Sequence, residues 1–428
     1  MDLEEIANIL TDQKNDIEKK FKDERIIDRE LSNKIIPDLN SNIAKVIIGV
    51  RRCGKSILCY SLLKEGNFFY VNFDDERLMG IKAKDLNDFL KAHLYLYNKD
   101  FDLALIDEPQ KIKGWELFVN RLLRRGKSVF VTGSSSQLLS KELATTLTGR
   151  HVDFVLYPFS FKEFLAYKGI KTDKEFIYST EGKSKILNIL KNFLDAGAIP
   201  QVYKISNKKE FLRNLYDDIL TKDIILRYKI KFPETFKIIS NFLMKSYSKY
   251  MSYNSVRKSF GIKTIHTARE YAKFLENSFL FIFLKKFSWS MKEMENVPKK
   301  VYCIDTGMIS SLIQVDMGRV MENLVAIELL RRKSYYAPSL GIYYWKDYQQ
   351  REVDFVVKDG LNVKELIQVC YDIEDLSTKN RELRALIKAG KELKCKNLKV
   401  ITWDYEGREE FRNREIEFRP LWKWLLEL

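Results

Sequence analysis

Lys45-Val-Ile-Ile-Gly-Val-Arg-Arg-Cys-Gly-Lys-Ser56, running on into Ile57-Leu-Cys-Tyr-Ser-Leu-Leu63, is the stretch on which the fold turns. It opens with a short β-branched apolar run and closes with apolar residues at helical spacing, so it reads as strand, loop, helix. Between the two, Gly49 to Ser56 matches G-x-x-x-x-G-K-[ST]. The glycines let backbone N–H groups curl around a phosphate, and the helix N-terminus that follows adds positive potential. Gly49, Val50, Arg51, Arg52, Cys53, Gly54, Lys55, Ser56 and Ile57 are the expected phosphate cradle. In it, Lys55 reaches the outer phosphates and Ser56 ligates magnesium.

Working outward, Phe101-Asp-Leu-Ala-Leu-Ile-Asp-Glu108 is an apolar strand that ends on two carboxylates. Asp107 is thereby a candidate for the magnesium shell, and Glu108 a candidate to polarise an attacking water. A third strand, Ser128 to Thr132, runs into Gly133-Ser-Ser-Ser136, where Ser134 is the candidate γ-phosphate sensor if this strand lies between the other two; a plain turn is the alternative. Phe68 to Asp75 is a further strand. Residues 40 to 160 therefore alternate strand and helix, the pattern of a parallel α/β sheet. The expected ligands are ATP and Mg2+.

These motifs in this order, followed by Leu147-Thr-Gly-Arg150 and Tyr157-Pro-Phe-Ser-Phe-Lys-Glu-Phe164, resemble the archaeal AAA-type ATPase family along nearly the whole chain. The resemblance implies a P-loop core, a helical lid, a winged-helix middle and a restriction-endonuclease-like C-terminal domain, with no particular pathway. It also implies that Arg150 supplies positive charge to the transferring phosphoryl group, from its own or a neighbouring subunit, unless it is an ordinary surface arginine. The expected divisions are 1–165 for the N-terminal helix and ATPase core, 166–205 for the lid, 206–304 for the winged helix and 305–428 for the nuclease-like domain.

The net charge is +15, and residues 201–300 hold 21 Lys plus Arg against 9 Asp plus Glu, so +12 of it lies in under a quarter of the chain. Such a concentration suits a polyanion. Within it, Asn254 to Asn277 reads as helix, turn at Gly261, helix, with Ile265, Ala268, Ala272 and Leu275 expected to face a core. Two strands with a basic connection follow, as a wing requires. Lys258, Lys263, His266, Arg269, Lys273, Lys285 and Lys286 are candidate DNA contacts, with a solvated surface or a protein-binding face as alternatives.

Further on, Glu322 on an amphipathic helix, Asp354 in Arg-Glu-Val-Asp-Phe and Gln368-Val-Cys370 are similar to the restriction-endonuclease pattern. That pattern puts a lysine where this chain has Cys370, so the reading is of a nuclease-like fold with a vestigial site, or of carboxylates that merely bridge structure. Hydrolysis would need a lysine from elsewhere, such as Lys364 or Lys346.

Five cysteines without a Cys-x-x-Cys pair and only three histidines argue against disulfides and structural zinc. No apolar run nears membrane-spanning length and the acidic start is unlike a signal peptide, which makes the cytoplasm the expected location. Three functions follow as expectations: an ATPase coupled to DNA binding, a nucleotide switch acting on a protein partner, or an ATP-gated nuclease; a homo-oligomer is compatible with each.

Overall fold

The computed structural model describes residues 1–134, 147 and 149–427. Two compact units divide between Tyr157 and Pro158. Residues 158–165, grouped with the core by sequence, fall in the second unit, where helix α5 (Phe161–Lys168) packs on later helices.

The first unit contains α1 (Leu3–Asp23), β1 (Ala44–Ile48), α2 (Lys55–Leu63), β2 (Phe68–Asn72), α3 (Leu86–Tyr97), β3 (Leu103–Asp107), α4 (Trp115–Arg124), β4 (Ser128–Gly133) and β5 (His151–Val155). The strands form one parallel sheet in the order β2-β3-β4-β1-β5. Strands β1, β3 and β4 are buried along their whole length. Burial on both faces is why they read as continuous apolar runs rather than as alternating ones. Helix α1 starts with a reciprocal cap between Asp2 and Glu5. Its buried Gln13 donates to the carbonyl of Asn72 and accepts from the same residue's N–H, both at 2.9 Å. The outer edge of β2 therefore offers fewer unpaired groups to another chain.

After α5 the second unit continues with α6 (Thr180–Ala196), α7 (Lys208–Asp218), α8 (Pro233–Lys245), β6 (Lys249–Met251), α9 (Tyr253–Ser259), α10 (Ile265–Asn277), β7 (Phe281–Leu284), α11 (Met291–Asn296), β8 (Lys299–Cys303) and α12 (Thr306–Leu312). Strands β6, β8 and β7 pair antiparallel in that order. Then come α13 (Met317–Tyr335), β9 (Leu340–Lys346), β10 (Glu352–Asp359), β11 (Asn362–Cys370), α14 (Leu376–Glu392), β12 (Leu398–Thr402), β13 (Gly407–Glu410), β14 (Glu415–Pro420) and α15 (Leu421–Leu426). They build a mixed six-stranded sheet in the order β13-β14-β12-β11-β10-β9.

Asp305, fully buried, caps α12 by accepting from the Met308 N–H at 2.9 Å and accepts from the Ala198 N–H at 2.5 Å. A side chain on Gly197, whose φ is +82°, would collide with that carboxylate, so this crossing of α6 and α12 requires glycine. All five cysteines are buried and free. Among the described residues no helix is long and apolar enough to cross a membrane.

Candidate functional site

The phosphate loop leaves β1 at Gly49, where an added Cβ would run into the backbone oxygen of Leu156. Gly54 has φ +98° and sets the loop into α2, which begins at Lys55. Arg52 also adopts a positive φ, of 67°, rare outside glycine. Val50 and Cys53 are buried, Arg51 and Ile57 half-buried and Arg52 exposed. The buried Lys55 Nζ donates to the carbonyls of Gly49 and Val50, each at 3.1 Å. The loop thus curls round its own ammonium. Arg29, which no motif announced, grips it from behind: one guanidinium nitrogen donates to the Cys53 carbonyl at 2.9 Å and another to the Tyr157 carbonyl at 2.7 Å.

Because β4 lies between β3 and β1, Asp107 stands beside Thr132 in register, and Thr132 beside Ile47. Asp107 accepts from the Thr132 hydroxyl, and the Ser56 hydroxyl bonds to it as well. Burial pushes its carboxyl above the usual range, while the two hydroxyls and Lys55 pull the other way. Thr132 is a site residue that sequence reasoning passed over in favour of Ser134. Ser134 itself is buried just past the end of β4, and Ser135 and Ser136 lie outside the described residues. Glu108 sits in a left-handed conformation, φ 52°, with its N–H donating to the Thr132 carbonyl at 3.1 Å and its carboxylate accepting from the Gln110 amide.

Arg150 requires a correction to the reading in which it serves its own site. It precedes β5, whose His151 is level with Ala44 at the start of β1, and its carbonyl accepts from the Ala44 N–H. The loop leaves the other end of β1. Five residues of strand, at about 3.3 Å each, separate the two by roughly 16 Å, more than an arginine side chain spans.

In the basic middle, Lys258, Lys263, His266, Arg269 and Lys273 are exposed on α9, the Gly261 turn and α10. Arg269 lies over the Tyr253 ring at 5.4 Å and His266 is 3.5 Å from Glu270. Ile265 was expected in the core but is exposed, because it is the first residue of α10, directly after the Thr264 cap; Tyr271 is buried with Ala268, Ala272 and Leu275 instead. The connection between β7 and β8 was read as simply basic. It contains α11, whose Glu295 pairs with Lys285 and Lys299 and whose Glu293 pairs with Lys286 at 3.6 Å. Lys285 and Lys286 therefore already have carboxylate partners.

In the C-terminal sheet Glu322, Asp354 and Gln368 do come together, on α13, β10 and β11. Lys300 of β8 joins them, 2.9 Å from Glu322 and 2.8 Å from Asp354. Lys346, one lysine considered for that role, pairs with Glu352 at 3.7 Å, and the other, Lys364, is exposed. Cys370 is buried, its thiol pushed up to about 11 by burial and nearby carboxylates, and it hydrogen-bonds to the Asp372 carbonyl.

A parallel sheet with a glycine-lined loop closing on a lysine, a serine and a buried aspartate defines a P-loop core of AAA type, and residues 41–165 match the AAA domain family. Residues 188–318 and 317–424 match two domains of unknown function, DUF8612 and DUF4143. The chain belongs to the family of MJ1544 from Methanocaldococcus jannaschii, with which it is 36% identical over 96% of its own length and 93% of the relative's. A Haemophilus influenzae protein is 27% identical over 91% and 95% of the two chains. Both relatives are described as uncharacterized. Among solved structures, the STAND protein PH0952 of Pyrococcus horikoshii aligns over 72% of this chain and 46% of that one, at 13% identity and a TM-score of 0.25. Drosophila ORC bound to AT-rich DNA and Cdc6 aligns over 72% and 91%, at 10% identity and a TM-score of 0.21. Scores this low bear on neither fold nor function.

Proposed function

We propose that this protein is an ATPase that couples its nucleotide state to the binding of duplex DNA. The observation that carries the ATPase half is the meeting of Lys55, Ser56, Asp107 and Thr132 at one end of the parallel sheet. The Ser56 hydroxyl beside the Asp107 carboxylate is an oxygen pair that fits magnesium, which takes few protein ligands and fills its shell with phosphate and water. Such a metal, when bound, neutralises charge on the phosphates. Lys55 exchanges its two backbone carbonyls for phosphate oxygens, Glu108 orients the attacking water, and the Thr132 hydroxyl holds Asp107 in position, with Ser134 within the same strand end. Arg150 serves a neighbouring subunit in a homo-oligomer.

Support for the DNA half is the exposed set Lys258, Lys263, Arg269 and Lys273 around a helix, turn and helix backed by a three-stranded antiparallel sheet, the order of elements in a winged helix. A second reading, a switch acting on a protein, is favoured by the exposed apolar residues Leu226, Phe232, Ile238, Phe242 and Ile265 of the same region, which phosphate contacts do not need.

Turnover of ATP with and without duplex DNA, across a salt series, separates the readings. DNA should raise turnover, and its affinity should fall at least tenfold between roughly 50 and 200 mM salt. Lys55→Ala should abolish turnover with the fold intact. Nucleotide binding without DNA retention at the lowest salt refutes the DNA half, and wild-type turnover in Lys55→Ala refutes the ATPase half.

A further inference from the structure

We infer that the carboxylate cluster of the C-terminal sheet carries its cation within the chain: the Lys300 ammonium takes the place between Glu322 and Asp354 that a nuclease-like site gives to a divalent metal. The residues present do not fit the metal.

The first reason is geometric. Lys300 Nζ lies 2.8 Å from Asp354, 2.9 Å from Glu322 and 3.5 Å from Glu352, so its three protons face three carboxylates. The two shorter are the separations of charge-assisted hydrogen bonds, and Glu352 stands at ion-pair distance. Oxygens around it are engaged too. Asp354 Oδ2 accepts from the Val369 N–H at 2.9 Å, Glu322 Oε1 from the Tyr302 hydroxyl at 2.6 Å, and Glu352 Oε2 from the Tyr250 hydroxyl at 2.7 Å. With the ammonium in place, a metal would meet a positive charge where it needs free lone pairs.

Gln368, the remaining member of the nuclease-like pattern, is turned to other work. Its amide oxygen accepts from the Asp354 N–H at 3.2 Å and its amide nitrogen donates to Glu382 at 2.5 Å. Among the described residues no group of three His, Cys, Asp or Glu is arranged to hold a metal.

The second reason is access. Lys300 is 1% exposed, Asp354 3% and Tyr302 0%, so a scissile phosphate has no approach to them. An ammonium so buried persists only where anions surround it. What the arrangement does is tie elements together, since Lys300 belongs to β8, Glu322 to α13 and Asp354 to β10. Lys300 adds an ionic tie between the small antiparallel sheet behind the basic helices and the large C-terminal sheet, beside the backbone hydrogen bonds of Tyr344 with Lys285 and Phe287.

The test is a Mn2+ titration of the full chain without nucleotide, followed by electron paramagnetic resonance, together with a duplex-nicking assay. Lys300→Met leaves Glu322, Asp354 and Glu352 facing one another without a cation and should gain a Mn2+ site at least tenfold tighter than any in the wild type, lost again in Lys300→Met/Asp354→Asn. The wild type should show no nicking with Mg2+ or Mn2+. Wild-type Mn2+ binding or nicking that Asp354→Asn removes overturns the inference, as does a folded Lys300→Met with no new site. Should Lys300→Met melt before it can be titrated, Lys300→Met/Glu322→Gln/Asp354→Asn decides. The neutralised triple should recover most of a fall in Tm of roughly 10 °C, and no recovery overturns the assignment.

Discussion

Arg150 and the phosphate loop stand at opposite ends of β1, and that distance turns a question about one residue into an experiment about subunits. If the arginine acts on a neighbour's nucleotide, Arg150→Ala and Lys55→Ala each lose turnover alone, by at least tenfold. Mixed, they should regain a measurable share, since a subunit with an intact loop meets one with an intact arginine. Steady-state phosphate release on the mixture checks this; inactivity of the mixture, or full activity of Arg150→Ala alone, removes the proposed role. Single residues also mark how far the sequence could be read. Lys55, Ser56 and Asp107 were legible because their chemistry depends on local spacing along a strand or loop. Thr132, Arg29 and Lys300 were not, because each acquires its partners through contacts across 22 to 128 positions of chain. A threonine at a strand end, or a lysine among many in a basic stretch, carries no mark of such a partner.

Elements were easier to read than their surroundings. The strands of the first unit announced themselves through runs that burial on both faces demands. The helices around Gly261 did so through the glycine turn, φ +64°, and the spacing of Ala268, Ala272 and Leu275, while the Ser252 and Thr264 caps came to light only in the structure. Helix α11 was missed because its glutamates sit in a six-residue element whose pattern is too short to show a period. The joint between α6 and α12 was invisible as well, and it has a titration of its own. Burial raises the Asp305 carboxyl from 3.8 to about 6, against the pull of the backbone N–H groups that surround it. A carboxyl whose folded value lies above its unfolded one binds its proton more tightly in the folded chain. Its contribution to stability is full below about pH 4 and is lost as pH climbs through 6, an effect of about 3 kcal/mol. Urea unfolding from pH 3.5 to 7 should show a decline in the wild type that Asp305→Asn flattens by most of that amount; parallel profiles would exclude Asp305 as its source.

At the scale of the whole molecule, the division at Tyr157 separates a nucleotide-binding sheet from a body in which the basic helices and both further sheets cohere. The interior of that body includes the Lys300 cluster and Arg331 of α13, which donates to the carbonyls of Pro158 and Phe159 at 3.1 and 3.2 Å. Residues 158–428 expressed alone should therefore fold, with one cooperative thermal transition and native-like near-ultraviolet dichroism. A chain that is unfolded, or that melts in two separate steps, would show that the body is not a unit. The sequence suggested finer divisions because charge and motif change at their borders. Compactness follows burial instead, and burial crosses those borders through β8.

Arg29 binds the carbonyl of Cys53 inside the phosphate loop and the carbonyl of Tyr157, the last residue of the first unit. The guanidinium is planar and stiff, so it acts as a lever with one arm on the loop and the other on the point where the chain departs for the rest of the molecule. A displacement of the Cys53 carbonyl by a bound polyphosphate would pull on that point directly. The news that the loop has been filled has only one side chain to cross.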